Sequence, residues 1–129
     1  MRILEEKLIK VWKTFSTKEL ALVFERYMKS IGVEKDDRRK KNQQKSYFID
    51  GKSTNWNRVE CYYFQKGKPY YNIALKIVLR KEAGNYFIVQ NGGERVFEVD
   101  YSGIRNYKPD LLEVTINEHK PLFDALFAI

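Results

Sequence analysis

Apolar positions in the first thirty residues recur at helical spacing. Leu4, Leu8, Val11, Trp12 and Phe15 form the stripe of a helix that buries one side, with Lys7, Lys10 and Lys13 off that stripe. Ser16 followed three residues later by Glu19 is the signature of a capping box, in which each side chain satisfies a free backbone N–H of a new helix. Leu20, Val23, Phe24, Tyr27, Met28 and Ile31 give that second helix its apolar face, and Gly32 supplies the stop.

Between Glu34 and Lys45 the pattern vanishes. The stretch EKDDRRKKNQQK has no apolar residue and no period, which predicts an exposed basic loop over 34–45. Beyond it the period falls to two. Residues 46–50 (SYFID) fit a short strand closed by an Asp50-Gly51 turn, and 58–65 is rich in Val, Tyr and Phe. Tyr71, Ile73, Leu75, Ile77 and Leu79 alternate with Asn72, Lys76 and Arg80, which predicts a strand with one buried and one polar face. Turns at 83–85 and at Asn91-Gly92-Gly93 delimit strands over 86–90 and 95–101. A last strand is expected over 111–116 after Lys108-Pro109-Asp110, and then a short apolar helix from Asn117 through Leu122, Phe123, Leu126 and Phe127.

Helices grouped at the two ends of an antiparallel meander predict an α+β fold. Two N-terminal helices pack on a mostly antiparallel five- or six-stranded sheet, and a short C-terminal helix follows. A chain of 129 residues suits one domain over 1–129. The 43% of hydrophobic residues is too much for a disordered chain even though 32% are charged. The terminal LFDALFAI is apolar enough to need either a place on the core or a second copy of the chain, so a homodimer is open.

Charge changes this picture because of where it sits. Residues 35–81 hold thirteen Lys/Arg against four Asp/Glu, and residues 82–129 hold four against eight, within an overall net charge of +7. A central segment at +9 and a final one at −4 point to one region drawn to polyanions. The apolar runs are too short for a membrane span, and acids interrupt the N-terminus where a signal peptide needs an apolar stretch, so a cytoplasmic protein with no membrane partner is expected. Cys61 is the single cysteine, which rules out an intrachain disulfide and suits a packing role.

Two features carry possible chemistry. Arg38, Arg39, Lys40, Lys41 and Lys45 form a cationic loop of the kind that releases counterions from phosphates. Arg58, Tyr62, Lys66, Lys68, Lys76 and Arg80, with Trp56, Tyr70 and Asn72 nearby, interleave cations and rings as a single-stranded nucleic acid requires. Both have plainer readings, as a solvated linker and as ordinary strand tyrosines. His119, the one histidine, is expected exposed at a helix start, and a nuclease role would pair it with Arg105, Tyr107 or Tyr101. Asp50, Glu60 and Lys52 lack the spacing of a metal-dependent nuclease, and no cofactor or metal site is expected.

The function expected is that of a small basic, non-enzymatic accessory protein binding nucleic acid, single-stranded or RNA. The alternatives are a protein-binding regulator or inhibitor of a nucleoprotein complex, such as a phage or mobile-element product, and a metal-independent small ribonuclease.

Overall fold

The computed structural model describes residues 2–36, 44–52 and 55–128. Helix α1 (Arg2–Thr14) and helix α2 (Thr17–Ser30) are separated by Ser16, whose hydroxyl accepts from the Glu19 N–H while the Glu19 carboxylate accepts from the Ser16 N–H, each at 3.1 Å. Strands β1 (Glu34–Lys35), β2 (Lys45–Asp50), β3 (Arg58–Gln65), β4 (Ile73–Arg80), β5 (Tyr86–Asn91), β6 (Glu94–Asp100) and β7 (Gly103–Arg105) follow in chain order and lie in that order across one sheet. All neighbours are antiparallel except β1 and β2. Helices α3 (Pro109–Glu118) and α4 (Lys120–Phe127) complete the α+β architecture. No helix among the described residues is long and apolar enough to cross a membrane.

Strand periodicity decides which face meets the helices. Val59, Cys61 and Tyr63 of β3, Leu75, Ile77 and Leu79 of β4, and Phe87 and Val89 of β5 join one core with Leu8, Val11, Phe24, Met28, Leu112, Leu122, Phe123 and Leu126 from the four helices. Burial pushes the Cys61 thiol pKa well up, as suits its packing position. The terminal helix α4 therefore docks on the helical layer, and the opposite sheet face carries no helix among the described residues.

Four expectations are corrected. The segment 111–116 is helical rather than a strand: Leu112 and Thr115 are buried one turn apart, and Pro109 opens the first turn, where its missing N–H costs nothing. Asn117 lies inside α3, and the cap position of α4 falls to His119, with Pro121 in the first turn. The sheet gains strands at both edges, giving seven, because Glu34 and Lys35 pair with Ser46 and Tyr47, and Gly103–Arg105 pairs back on β6. Tyr71 belongs to no strand: Tyr70, Tyr71 and Asn72 have φ of 57°, 62° and 66°, and β4 begins only at Ile73.

Candidate functional site

The helix-free face gathers one part of the expected site. Tyr62 stands opposite Lys76, and Arg58 opposite Arg80, on neighbouring strands. Two arginines facing each other repel, and Glu60 sits beside them to compensate. Its Oε1 lies 2.5 Å from Arg58 Nη2 and 3.9 Å from Lys76 Nζ, while Oε2 accepts the Tyr62 hydroxyl at 2.8 Å. The Lys76 ammonium rests 5.0 Å from the centre of the Tyr62 ring, which also stacks on Phe64 with an angle of 5° between planes. Burial, then the bond to Glu60, pushes the Tyr62 hydroxyl pKa strongly up, so the ring stays neutral and tied down. On this face the cations and the ring are largely occupied with one another.

The other part lies at one end of the sheet. The residues between β3 and β4 form a tight turn: Gly67 N–H donates to the Asn72 side chain, Gln65 N–H to the Asn72 carbonyl and Ile73 N–H to the Tyr70 carbonyl. Three successive non-glycine residues in the left-handed region cost about 1–2 kcal/mol each, and the product of that strain is Tyr71 at 91% exposure, beside exposed Lys66 and Lys68. Tyr70 leans on the β5–β6 turn, where a Cβ on Gly93 would lie 2.4 Å from its ring. Trp56 is no part of either surface, since it packs against the core and against Gly51.

The same end opens into a cleft of about 550 Å³ between the sheet, the C-terminus of α2 and the α3–α4 joint. Lys45 and Lys68 stand at it, together with Gln65, Tyr63, Tyr27 and His119. Lys45 thus points to the helical side of the sheet, away from Arg58, Tyr62, Lys76 and Arg80. Arg38, Arg39, Lys40 and Lys41 lie outside the described residues.

His119 differs most from expectation. It is 6% exposed, not an exposed helix start, because the break between α3 and α4 turns its ring inward. Its Nδ1 shares a hydrogen bond of 3.0 Å with the Tyr27 hydroxyl, and Tyr27 and Tyr63 both meet its ring edge to face. Burial, then the charge of Lys68, lowers its pKa to about 4. The ring is neutral at pH 7 and far from the value a general acid needs there. The partners considered for it in a nuclease are engaged elsewhere: Arg105 with Asp100, Tyr101 with Trp12, and Tyr107 with Phe97. Among the described residues no three His, Cys, Asp or Glu side chains gather as a metal site.

Helical periodicity puts Tyr27 on the buried face of α2, where it does join the core, but does not single out Tyr63, and gives no sign that both border a cleft. Nor does it single out Gln65 at the cleft, or Glu60 as the hub of the helix-free face. Comparison of the chain with known protein families, characterised proteins and solved structures finds no match in any of the three.

Proposed function

We propose that this chain is a non-enzymatic protein that binds single-stranded nucleic acid at the β3–β4 end of its sheet. The observation that carries the reading is the left-handed turn Tyr70–Asn72, which holds Tyr71 almost wholly in solvent next to Lys66 and Lys68. An unshielded ring offers a base a stacking surface, and adjacent ammonium groups offer the phosphates charge. Backbone strain in a non-glycine turn is retained where something other than stability selects it. Lys45 adds a further cation, which lines the same cleft as Lys68. Arg58, Lys76 and Arg80 add a second, weaker strip on the helix-free face, weaker because Glu60 already holds two of them.

Fluorescence anisotropy with labelled RNA and DNA oligonucleotides tests it. Binding is expected to weaken steeply with salt, and Tyr71→Ala to cost about 1–3 kcal/mol per stacked base. Lys66→Ala and Lys68→Ala are each expected to flatten the salt dependence by about one phosphate contact. Equal affinity of the Tyr71→Ala variant and the parent protein would sink the reading.

A second reading, a regulator that docks on a protein partner, rests on a different observation. Strand β7 ends the sheet with all three residues exposed, next to Tyr101 at 79% exposure. An open edge of this kind accepts an added strand. A stoichiometric protein partner that survives nuclease treatment and is lost on Ile104→Pro supports this reading over the first.

A further inference from the structure

The cleft at His119 has a division of charge that limits what fits it. At the mouth stand Lys45 and Lys68, opposed by the single carboxylate of Glu118. The floor is uncharged: Tyr27, Tyr63 and His119 are all buried and all neutral near pH 7. A small inorganic anion would use the mouth and leave the floor empty. A wholly apolar ligand would cover polar groups without matching them, at a cost of about 1–3 kcal/mol each. A ligand with an anionic end and a planar, uncharged, hydrogen-bonding end satisfies both regions.

The amides of the cleft sharpen this. Asn91 donates its NH₂ to Thr115 Oγ1 at 2.9 Å, which leaves its carbonyl oxygen as an acceptor. The Gln65 side chain makes no hydrogen bond among the described residues and brings both a donor and an acceptor. In either tautomer of His119, the Tyr27–His119 pair retains one donor beyond the bond it makes with itself. Donors and acceptors set around a ring-lined space are what an unstacked base uses for its pairing edge. The volume of about 550 Å³ lies within the usual range of small-molecule pockets.

We propose that the cleft receives one nucleotide, its phosphate between Lys45 and Lys68 and its base against Gln65, Asn91 and Tyr63. The inference deepens the strand-binding reading and rests on it only for the source of the nucleotide: Lys68 belongs both to the exposed turn that carries Tyr71 and to the cleft mouth, and so links the two surfaces.

The chain has a single histidine, so the ring signals of His119 in an NMR spectrum report the cleft alone. The protein is titrated with nucleoside 5′-monophosphates, with a nucleoside lacking phosphate, and with inorganic phosphate. The monophosphates are expected to move the His119 signals saturably at concentrations about tenfold below those that the nucleoside or phosphate needs. Gln65→Ala, a half-exposed position, is expected to weaken that response about fivefold while leaving the starting signals in place. Signals that stay still up to roughly 20 mM monophosphate, or that respond equally to phosphate alone, overturn the proposal. An oligonucleotide arm separates it from the strand reading. Mononucleotide shifts without strand binding keep the cleft and remove the strand, and strand binding without any His119 shift does the reverse.

Discussion

The Tyr27 hydroxyl and His119 Nδ1 meet at 3.0 Å although 92 positions separate them, and this contact ties the end of α2 to the joint between α3 and α4. The bond forms with a neutral imidazole, in a place where burial and Lys68 both oppose protonation. The remaining titratable residues that line the cleft, Tyr63, Glu118 and Lys45, include only one carboxylate to favour the charged form.

Stability should therefore depend on pH in a set direction. The unfolded chain protonates His119 near pH 6.5 and the folded chain only near pH 4, so between these values the unfolded state holds more protons. The contribution is full above pH 6.5 and is lost as pH falls towards 4, amounting to at most about 3 kcal/mol. Urea unfolding from pH 7 to pH 4.5 should show a decline that His119→Gln lacks. Lys68→Met should raise the folded-state histidine pKa towards its unfolded value, so that the decline becomes smaller and ends at a higher pH. Parallel curves for the parent and His119→Gln would show that the ring titrates alike in both states.

The contact between Tyr70 and Gly93 predicts that the β5–β6 turn holds the exposed turn in shape. A Cβ at position 93 would lie 2.4–2.6 Å from three atoms of the Tyr70 ring, so Gly93→Ala must push that ring away. The expected results are a loss of about 1–3 kcal/mol, as for other overpacked sites, and weaker oligonucleotide binding. Gly93→Ala combined with Tyr70→Ala should recover the stability, since the clashing ring is then gone. A Gly93→Ala protein as stable as the parent would mean that the ring moves freely.

The two N-terminal helices and the central meander were legible because each rests on local signals: the Ser16–Glu19 box, the 3.6-residue stripe and the alternation from Ile73 to Leu79. The segment 111–116 was not, because Leu111, Leu112, Val114 and Ile116 satisfy both an alternating and a helical pattern over so short a span. The deciding feature is tertiary, since Leu112 and Thr115 are both buried under the sheet. The Lys76, Arg80 and Tyr62 face followed from period two, whereas its neutralisation by Glu60 depends on a side chain reaching along and across strands. The cleft was invisible for the same reason: Tyr27 of α2, Tyr63 and Gln65 of β3, and His119 at the α3–α4 joint are far apart in the chain and share no motif.

Lys81 follows β4 and reaches back to α1, where its Nζ donates to the Trp12 carbonyl at 2.6 Å. That carbonyl is one of the last four of the helix and has no partner within it. Burial lowers the lysine pKa, and the Glu19 carboxylate partly restores it. Lys81→Met, which keeps the stem and removes the donor, should cost about 1–2 kcal/mol in thermal or urea unfolding. Lys81→Arg should retain most of it. A methionine variant with an unchanged unfolding midpoint would assign the carbonyl to solvent.

Glu60 supplies the test of how much the helix-free face contributes to polyanion binding. Its carboxylate takes the Arg58 guanidinium, the Lys76 ammonium and the Tyr62 hydroxyl at once, so it withholds two cations and one ring from any ligand. Glu60→Gln keeps the shape and a hydrogen-bond acceptor but removes the charge. If a strand bound at the Tyr71 turn also runs over this face, the variant should bind oligonucleotides more tightly, with a salt dependence steeper by about one to two phosphate contacts. The Tyr62 hydroxyl pKa should fall at the same time, because the bond to the carboxylate and its charge are the second and third causes that raise it. Spectrophotometric titration of the tyrosines reads that change independently of any ligand. A lowered Tyr62 pKa with unchanged oligonucleotide affinity and salt slope would confine binding to the turn and the cleft, and would reduce Arg58, Lys76 and Arg80 to structural charges that balance their neighbours.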